Sequence, residues 1–318
     1  MNLFIFGLGF SALHFLRSQA PALGVHAVGT VRGAQKAAAL REEGVEALVF
    51  GPGGGEDRIA AVLARADALL VTVPPGSAGD PALAAFGPQI AAAPNLRRII
   101  YLSTVGVYGD HHGGWVDETT PSAPVSERGY ARLAAEQAWT ALGQASGKQV
   151  HILRLPGIYG PGKNALVNLR EGSARRLVKK DQVFNRVHVE DIARAIAACL
   201  TTDLPGRVWN VADNEPAPPQ DVVEFAAKLL GLPVPPDQPF ETAELSPMAR
   251  SFYGENKRVS NRAMRELLGV KLAYPTYREG LRALAAAGAG AGAPARQRRK
   301  MNCTIRNSGM RMPTDHSM

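Results

Sequence analysis

Up to about residue 160 the chain alternates short apolar runs with stretches in which Leu and Ala recur at helical spacing. Short apolar runs bounded by turn residues predict buried strands, and the amphipathic stretches between them predict covering helices. This alternation predicts an α/β fold with a doubly wound parallel sheet, in strand order 3-2-1-4-5-6 plus a seventh strand. The predicted strands occupy 3–6, 25–31, 45–50, 68–73, 98–103, 150–155 and 208–211, and predicted helices occupy 34–43, 59–65, 126–145, 189–200 and 222–230.

Beyond about residue 160 the alternation becomes irregular, and basic and proline-rich pieces interrupt the amphipathic elements. We therefore expect one sheet-forming domain over 1–160, which also receives sheet contributions from about 187–212. A small, discontinuous C-terminal lobe is expected mainly over 161–286. Ala/Gly low complexity followed by a basic, Met-rich tail predicts disorder over 287–318, because such a composition buries too little apolar surface to offset the entropy of ordering.

Composition narrows the class of protein further. With 318 residues, 46% hydrophobic and 20% charged, the chain has enough apolar material for a substantial core. Two cysteines, Cys199 and Cys303, are too few for a disulfide scaffold or a four-thiolate metal site. We expect a reducing, cytoplasmic location, no bound metal and, without an apolar run of about 18 residues, no membrane partner.

The formal net charge of +8 raises the question of a nucleic-acid partner. Residues 296–318 hold six basic residues against one acidic residue, so most of this charge belongs to the tail. Proteins that bind single-stranded nucleic acid combine basic residues with aromatic side chains on which the bases stack. The tail has no aromatic residue between its basic residues. We expect no nucleic-acid partner.

A glycine-rich turn follows the first predicted strand and opens a helical pattern. Gly7 permits the tight turn, Gly9 lets a pyrophosphate approach the backbone, and Ala12 keeps the helix close to the strand. The unpaired N–H groups of the first helical turn attract phosphate. In this βαβ context the pattern indicates a Rossmann-type dinucleotide site that includes Gly7, Gly9, Phe10, Ser11 and Ala12.

The end of the second predicted strand indicates which dinucleotide is bound. NAD-binding folds place a carboxylate there to bond the ribose hydroxyls, about 20 residues after the turn. Here that position is Arg32, with Lys36 one helical turn later, and no acidic residue occurs before Glu42. A guanidinium can hold a 2′-phosphate through two hydrogen bonds, so we predict NADP, with NAD as the alternative.

Four further motifs carry a resemblance to a known family. The chain resembles the extended short-chain dehydrogenase/reductase superfamily, of the NAD-dependent epimerase/dehydratase type. Within it, the chain is most similar to the atypical group whose members lack the usual Tyr-x-x-x-Lys pair. The resemblance covers about residues 1–286 and rests, besides the glycine turn, on Leu102–Gly109 (LSTVGVYG), Arg154–Gly162 (RLPGIYGPG), Val187–Ala193 (VHVEDIA) and Trp209–Asp213 (WNVAD).

The resemblance implies hydride chemistry with a nicotinamide cofactor. In the family a Tyr exchanges a proton with a carbinol or carbonyl oxygen, a Lys four residues later lowers the pKa of that Tyr, and a Ser or Thr holds the oxygen. Thr104 occupies the Ser/Thr position. The resemblance also implies cofactor contacts from the loops after the fourth and sixth strands, at Val73, Pro74, Pro156, Gly157 and Ile158.

The Tyr and Lys positions depart from the family pattern. Anchored on Glu136, the pattern Tyr-x-x-x-Lys-x-x-x-Glu places Arg128 at the Tyr position and Arg132 at the Lys position. Tyr130 lies between them, and residues two apart do not share a helix face. Anchoring on Tyr130 instead places Ala134 where the Lys belongs. Neither register supplies both groups.

The catalytic candidates are therefore Thr104, Tyr130, Arg128 and Arg132. Arg132 can hold ribose hydroxyls and Arg128 can stabilise an oxyanion, but neither guanidinium yields a proton at neutral pH. The proton would come from Tyr130 after a helix rotation, from an acidic group of the substrate, or from water held by Thr104.

Three functional hypotheses stay open. The first is an NADP-dependent oxidoreductase or epimerase that acts on a carbonyl or carbinol of a small molecule. The second is a dinucleotide-binding sensor without turnover, and the third is a nucleotide-sugar epimerase or dehydratase; a homodimer is compatible with each. The third needs a phosphorylated or nucleotide-linked substrate at a basic cluster formed by Lys163, Arg170, Arg175, Arg176, Lys179, Lys180 and Arg186.

Overall fold

The structure is a computed structural model that describes residues 1–51 and 54–288. The predicted disordered tail lies outside these residues, except for its first two positions, and so does Cys303. In the described part of the chain, no helix combines the length and the apolar character that crossing a membrane requires.

Thirteen strands are described, and seven of them form one parallel sheet. In chain order the strands are β1 Asn2–Phe6, β2 His26–Val31, β3 Glu46–Val49, β4 Ala68–Val71, β5 Arg98–Thr104, β6 Trp115–Val116, β7 Gln149–Leu155, β8 Gly157–Tyr159, β9 Arg176–Val178, β10 Arg186–His188, β11 Val208–Asn210, β12 Asp237–Pro239 and β13 Arg258–Val259. The sheet order is β3-β2-β1-β4-β5-β7-β11. This confirms the predicted order, because β7 and β11 are the sixth and seventh predicted strands.

Helices cover both faces of this sheet. They are α1 Phe10–Ser18, α2 Ala34–Glu42, α3 Glu56–Leu63, α4 Pro81–Ala92, α5 Glu127–Ser146, α6 Ala165–Arg170, α7 Val189–Thr201, α8 Pro219–Leu230, α9 Pro247–Phe252, α10 Arg262–Glu266 and α11 Tyr277–Ala286, with short 3₁₀ helices at Pro21–Leu23 and Val105–Tyr108. Successive residues of β1 point to opposite faces. Leu3 and Ile5 pack in a core with α1, α2 and α7, whereas Phe4 and Phe6 pack in a core with α3, α4 and α5.

The sequence did not predict α4. Its interior contains Pro88, which interrupts a helical pattern. The helix forms because Asp80 caps it, accepting hydrogen bonds from the amides of Ala82 and Leu83, and because Phe86 and Ile90 are buried against the sheet. Asp80 also accepts a hydrogen bond from the indole of Trp139 on α5.

The six remaining strands form three short parallel pairs, β8 with β10, β9 with β12, and β6 with β13. Pairing of β8 with β10 joins the segment after β7 to the segment before α7. A separate hydrophobic core connects α6, α8 and α11. The division of the chain into a domain over 1–160 and a lobe over 161–286 stays a prediction.

Candidate functional site

The glycine turn after β1 is fixed by two threonine side chains. Gly7 has a φ of +100°, which L side chains rarely adopt. Its amide donates to Oγ1 of Thr30 at 3.0 Å, and its carbonyl accepts from Oγ1 of Thr72 at 2.6 Å. A Cβ at Gly7 would lie 2.6 Å from Oγ1 of Thr72, so this position accepts glycine alone.

The turn leads directly into an uncapped helix N-terminus. Gly9 precedes α1 in an extended conformation, and a Cβ placed on it meets no described atom within 4 Å. No described side chain caps α1, and its first turn carries no acidic residue. The free amides and the open space over Gly9 form a surface on which an anion can approach the backbone.

Phe10, Ser11 and Ala12 form the first turn of α1. Ser11 and Ala12 are buried, whereas Phe10 is 37% exposed. The ammonium of Lys163 lies 5.7 Å from the centre of the Phe10 ring. Lys163 therefore adds positive charge beside the glycine turn, although the sequence grouped it with the basic cluster further along the chain.

Arg32 directly follows β2, and Lys36 lies in the first turn of α2, next to the same glycine turn. Lys36 Nζ donates to the carbonyl of Leu8, inside the turn, at 2.8 Å. Arg32 is exposed, and its side chain makes no hydrogen bond or ion pair with a described residue. Both cations can therefore reach an anion bound beside the turn.

The loops after β4 and β7 open at the same edge of the sheet. Val73 Cγ1 lies 3.0 Å from the Cβ position of Gly7, so the β4 loop borders the turn directly. Pro74 is exposed. Pro156 follows β7, and Gly157 and Ile158 continue into β8, with the Gly157 amide donating to the carbonyl of Asn185 at 3.2 Å.

Thr104 ends β5 and caps the short 3₁₀ helix that follows. Its Oγ1 accepts from the amide of Gly106 at 3.2 Å, and the residue is half-buried. Helix α5 packs against this turn through Gly129, where a Cβ would lie 3.2 Å from the carbonyl oxygen of Gly106. The start of α5 and the Thr104 turn are thus in contact.

The two arginines at the Tyr and Lys positions of α5 have different surroundings. Arg132 is half-buried and donates from Nη1 to the hydroxyl of Tyr101 at 2.9 Å and to the carbonyl of Leu102 at 2.8 Å. Its guanidinium therefore lies at the carboxyl end of β5. Arg128 is exposed, donates to Oγ of Ser251 at 3.0 Å and stacks over Phe252 at 4.9 Å, which connects α5 to α9.

Tyr130 lies between these arginines along α5 but faces solvent. It is 60% exposed, and its hydroxyl makes no hydrogen bond with a described residue. Tyr101 is fully buried, and burial raises its pKa to about 12 even though the Arg132 charge lowers it. Neither phenol is therefore positioned to donate a proton to a substrate at the carboxyl end of β5.

A buried ion pair that the sequence analysis missed lies below the site. Glu136 and Arg154 are 5% and 6% exposed, and Arg154 Nη2 lies 2.7 Å from Oε2 of Glu136. The Ser103 hydroxyl bonds Oε1 of Glu136, and the Arg154 guanidinium stacks over Tyr108 at 4.6 Å. Part of the signal was present in the sequence, since Arg154 begins one of the motifs that carry the resemblance and Glu136 anchors the Tyr-x-x-x-Lys-x-x-x-Glu pattern, but their pairing across α5 and β7 needs the fold.

A second set of buried polar residues lies at the start of α7. His188 caps α7 by accepting from the Glu190 amide at 3.1 Å, and burial lowers its pKa to about 4. Asp191 accepts from the amides of Ala273 and Tyr274, yet burial raises its pKa to about 6. These contacts give both residues a structural role, whereas Nε2 of His188 is buried and has no partner among the described residues.

Asp213, at the end of the WNVAD motif, is buried with fewer hydrogen bonds to its carboxylate than Asp191 has. It is 2% exposed, and burial raises its pKa to about 7. One carboxylate oxygen accepts from the Glu215 amide at 3.1 Å, whereas the other, Oδ2, has no partner among the described residues. The charged form of Asp213 is therefore disfavoured in the folded protein.

The predicted basic cluster does not converge on one point. Arg175 and Arg176 bind groups of the 237–244 segment, and Arg176 also pairs with Glu224 on α8. Lys179 donates to the carbonyl of Tyr253, and Arg186 donates to the carbonyls of Phe184 and Ala217. Arg170 and Lys180 are exposed. Most of these cations thus stabilise contacts within the chain.

A comparison with protein-family models agrees with this geometry. Residues 89–212 match the model of the NAD-dependent epimerase/dehydratase family. This stretch runs from α4 through the Thr104 turn, α5 and β7 to the end of β11. The chain belongs to the NAD-dependent epimerase/dehydratase family.

Relatives of this family member extend the match over most of the chain. A conserved protein of unknown function from Silicibacter pomeroyi is 49% identical, with a TM-score of 0.83 over 90% of this chain and 98% of that one. Protein YeeZ of Escherichia coli is 35% identical over 180 residues, which span 54% of this chain and 62% of YeeZ. A UDP-glucuronic acid 4-epimerase from Bacillus cereus, solved with UDP-glucuronic acid and NAD, shares the fold at 19% identity, with a TM-score of 0.70 over 88% of this chain and 96% of that one.

The raised pKa of Asp213 gives a stability prediction for this family member. Between the ordinary aspartate pKa of 3.8 and the folded value of about 7, the folded state holds a proton that the unfolded state has released. Stability therefore falls as the pH rises through this interval and stays lower above it. We expect Asp213→Asn to be more stable than wild type at pH 8, by roughly 1 to 4 kcal/mol, with the difference shrinking towards pH 4.

Urea unfolding at a series of pH values measures this difference. The matched control is Asp203→Asn, because the Asp203 side chain is fully exposed. Parallel pH profiles for wild type and Asp213→Asn would contradict the prediction.

Proposed function

We propose that this family member is an NADP-dependent oxidoreductase or epimerase that transfers hydride at a carbonyl or carbinol of a small molecule. The observation that carries the proposal is the open, uncapped glycine turn, bordered by Val73 and by the cations Arg32 and Lys36. Open α/β sheets bind ligands at the carboxyl ends of strands where the strand order reverses, which is here between β1 and β4.

The residues present fit a dinucleotide. The pyrophosphate would bind the amides of Phe10 and Ser11, at the start of α1, where the backbone over Gly9 is open and the helix dipole favours negative charge. Arg32 has no ionic partner among the described residues, so a 2′-phosphate could gain its guanidinium without breaking a contact. Lys36 lies one helical turn away, and its ammonium keeps two donors beyond its bond to Leu8. These features favour NADP over NAD.

The reacting end of the site would be built from Thr104 and Arg132. When bound, a nicotinamide cofactor supplies or accepts the hydride. Thr104 would hold the substrate oxygen with its hydroxyl, which can donate while its oxygen accepts from Gly106. Arg132 uses Nη1 for protein contacts, which leaves Nε and Nη2 to hold ribose hydroxyls.

The proton needs a source other than the usual Tyr. Arg128 and Arg132 stay charged at neutral pH, and Tyr130 faces solvent. We propose that water held by Thr104, or an acidic group of the substrate, provides this proton. Arg128 would then stabilise negative charge on the substrate from its place between α5 and α9.

A second candidate function is a dinucleotide sensor without turnover. It is favoured by the arginines at both proton-transfer positions, because each of them already makes contacts within the protein. It predicts that cofactor changes the binding of a partner or the oligomeric state. Stereospecific hydride transfer from bound cofactor would exclude it. The third hypothesis, a nucleotide-sugar substrate, gains nothing from the basic cluster, most of which is engaged elsewhere.

We propose a cytoplasmic location for the protein. Cys199 is a free, fully buried thiol, and burial raises its pKa, so it is inert rather than disulfide-bonded. A homodimer stays a prediction.

Two glycine substitutions test the dinucleotide site. In Gly9→Ala the new methyl group enters the open space over the turn, so we expect stability to fall by about 1 kcal/mol or less while affinity for NADPH drops at least about tenfold. In Gly7→Ala the methyl group meets Thr72 and strains the backbone, so the fold itself should lose roughly 1 to 3 kcal/mol. Fluorescence titration and urea unfolding measure the two effects, and unchanged NADPH binding in Gly9→Ala would contradict the site.

The choice of cofactor is tested at Arg32. We expect wild type to bind NADPH more tightly than NADH, and Arg32→Asp to reverse this order, because a carboxylate repels the 2′-phosphate and accepts from ribose hydroxyls. Parallel fluorescence titrations with both cofactors measure the four dissociation constants. The matched control is Arg41→Asp on the helix α2 that follows Arg32, since the Arg41 side chain bonds the Ala47 carbonyl instead. A wild-type affinity for NADH equal to or above that for NADPH would refute the NADP assignment.

A further inference from the structure

A cavity of about 340 Å³ lies where the short pair β6 and β13 meets the end of the WNVAD motif. Its walls come from β6, from the residues that follow β11, and from β13 and the start of α10. The volume lies at the lower end of the range of small-molecule sites. The lining includes no residue of the glycine turn or of α5. The residues that decide its chemistry are Trp115, Asp213, Asn261, Arg262 and Arg265.

Asn261 joins two walls of this cavity. Its Nδ2 donates to the carbonyl of Ala212 at 2.7 Å and to Oδ1 of Asn214 at 2.9 Å, and its Oδ1 accepts from Nε of Arg265 at 2.8 Å. The first two partners flank Asp213 in the chain. One side chain therefore holds the Arg265 guanidinium close to the segment that carries Asp213, and the cavity is preorganised before any ligand binds.

Asp213 gives the cavity a buried carboxylate that lacks a cationic partner. The residue is 2% exposed, and its Oδ2 has no hydrogen-bond partner among the described residues. The charge of Arg186 favours the ionised carboxylate, but its guanidinium donates to the carbonyls of Phe184 and Ala217 instead. A buried carboxylate without a donor costs free energy, so a ligand ammonium would supply both the missing hydrogen bond and the opposite charge.

The start of α10 adds positive charge to the same lining. Arg262 and Arg265 are exposed, and Arg262 lies 2.7 Å from Glu266, which balances its charge. Arg265 forms no ion pair with a described residue, and its bond to Asn261 leaves the N–H groups of Nη1 and Nη2 free to bind a carboxylate at two points. The lining thus carries one carboxylate and one guanidinium without an ionic partner, which matches a ligand that bears both charges.

Trp115 gives the cavity an aromatic wall. Of the three tryptophans, Trp139 and Trp209 are fully buried, whereas Trp115 is 63% exposed. Its strand is fixed in place because the Ser260 amide donates to the carbonyl of Val116 at 2.8 Å. An aromatic group packed on the indole would bury apolar surface and gain a ring contact, which favours a ligand with an aromatic side chain.

We propose that this cavity binds a free α-amino acid with an aromatic side chain. Its ammonium binds Asp213, its carboxylate binds Arg265, and its ring packs on Trp115. A free amino acid carries both charges on one carbon, whereas a residue within a peptide or at its terminus lacks at least one of them. The proposal rests on the geometry of this cavity alone, so it holds whether or not the glycine turn binds a dinucleotide.

Calorimetric titration of the full chain with phenylalanine, phenethylamine, 3-phenylpropionate and alanine tests the proposal. Relative to phenylalanine, the second ligand lacks the carboxylate, the third lacks the ammonium, and the fourth lacks the ring. We expect phenylalanine to bind and each of the other three to bind at least about tenfold more weakly, because each loses one of the three contacts. The absence of phenylalanine binding, or binding of any of the other three as tight as that of phenylalanine, would overturn the proposal.

Asp213→Asn separates ligand recognition from folding. The amide keeps the size of the side chain but loses its charge, and we expect this variant to be more stable than wild type at pH 8. Its affinity for phenylalanine at pH 8 should nonetheless fall at least about tenfold, whereas Asp203→Asn, at a fully exposed carboxylate outside the lining, should leave the affinity unchanged. Equal affinities of wild type and Asp213→Asn, or equal effects of the two substitutions, would contradict the role of Asp213.

Discussion

The left-handed backbone of Gly7, held between the hydroxyls of Thr30 and Thr72, is the constraint on which the proposed site depends. Thr30 belongs to β2, and Thr72 follows β4, so the turn is fixed by the two strands that flank β1 in the sheet. Because the sheet determines the turn, it also determines where α1 begins and where its unpaired amides point.

Helix α5 retains its place in the fold although its proton-transfer residues differ from the family pattern. The buried pair Glu136–Arg154 and the close approach of Gly129 to the Thr104 turn fix the helix against the sheet. Arg132, at the position of the usual Lys, consequently lies next to β5 and bonds the Leu102 carbonyl, whereas Arg128, at the position of the usual Tyr, contacts α9. The placement of α5 on the sheet depends on packing at Glu136 and Gly129 and not on the residues at 128 and 132. The residues at the Tyr and Lys positions of the family pattern can therefore differ without a change in the position of the helix.

Much of the fold could be predicted from the sequence, because apolar runs and helical periodicity are local signals. The seven sheet strands and their order follow from them, and the glycine turn follows from its spacing after β1. The missed features are those that depend on distant residues. Helix α4 relies on a cap and on burial that outweigh Pro88, and the ion pair of Glu136 with Arg154 joins residues that only the fold brings together.

The basic cluster is an example of a predicted site whose residues the fold separates. Its seven cations are close in sequence, which suggested one anion site, but Arg175 and Arg176 contact the 237–244 segment and Arg186 turns to backbone carbonyls. Lys163 instead approaches Phe10 at the glycine turn, and Lys179 donates to the carbonyl of Tyr253. Proximity along the chain therefore did not identify a common target, since each cation follows the element that carries it.

The most direct test of the account is a crystal structure of the protein with NADPH. It should show the pyrophosphate on the amides after Gly9, the 2′-phosphate within hydrogen-bond distance of Arg32, and the nicotinamide between Thr104 and Ile158. A dinucleotide bound elsewhere, or one bound at the turn with its 2′-phosphate directed away from Arg32 and Lys36, would contradict it.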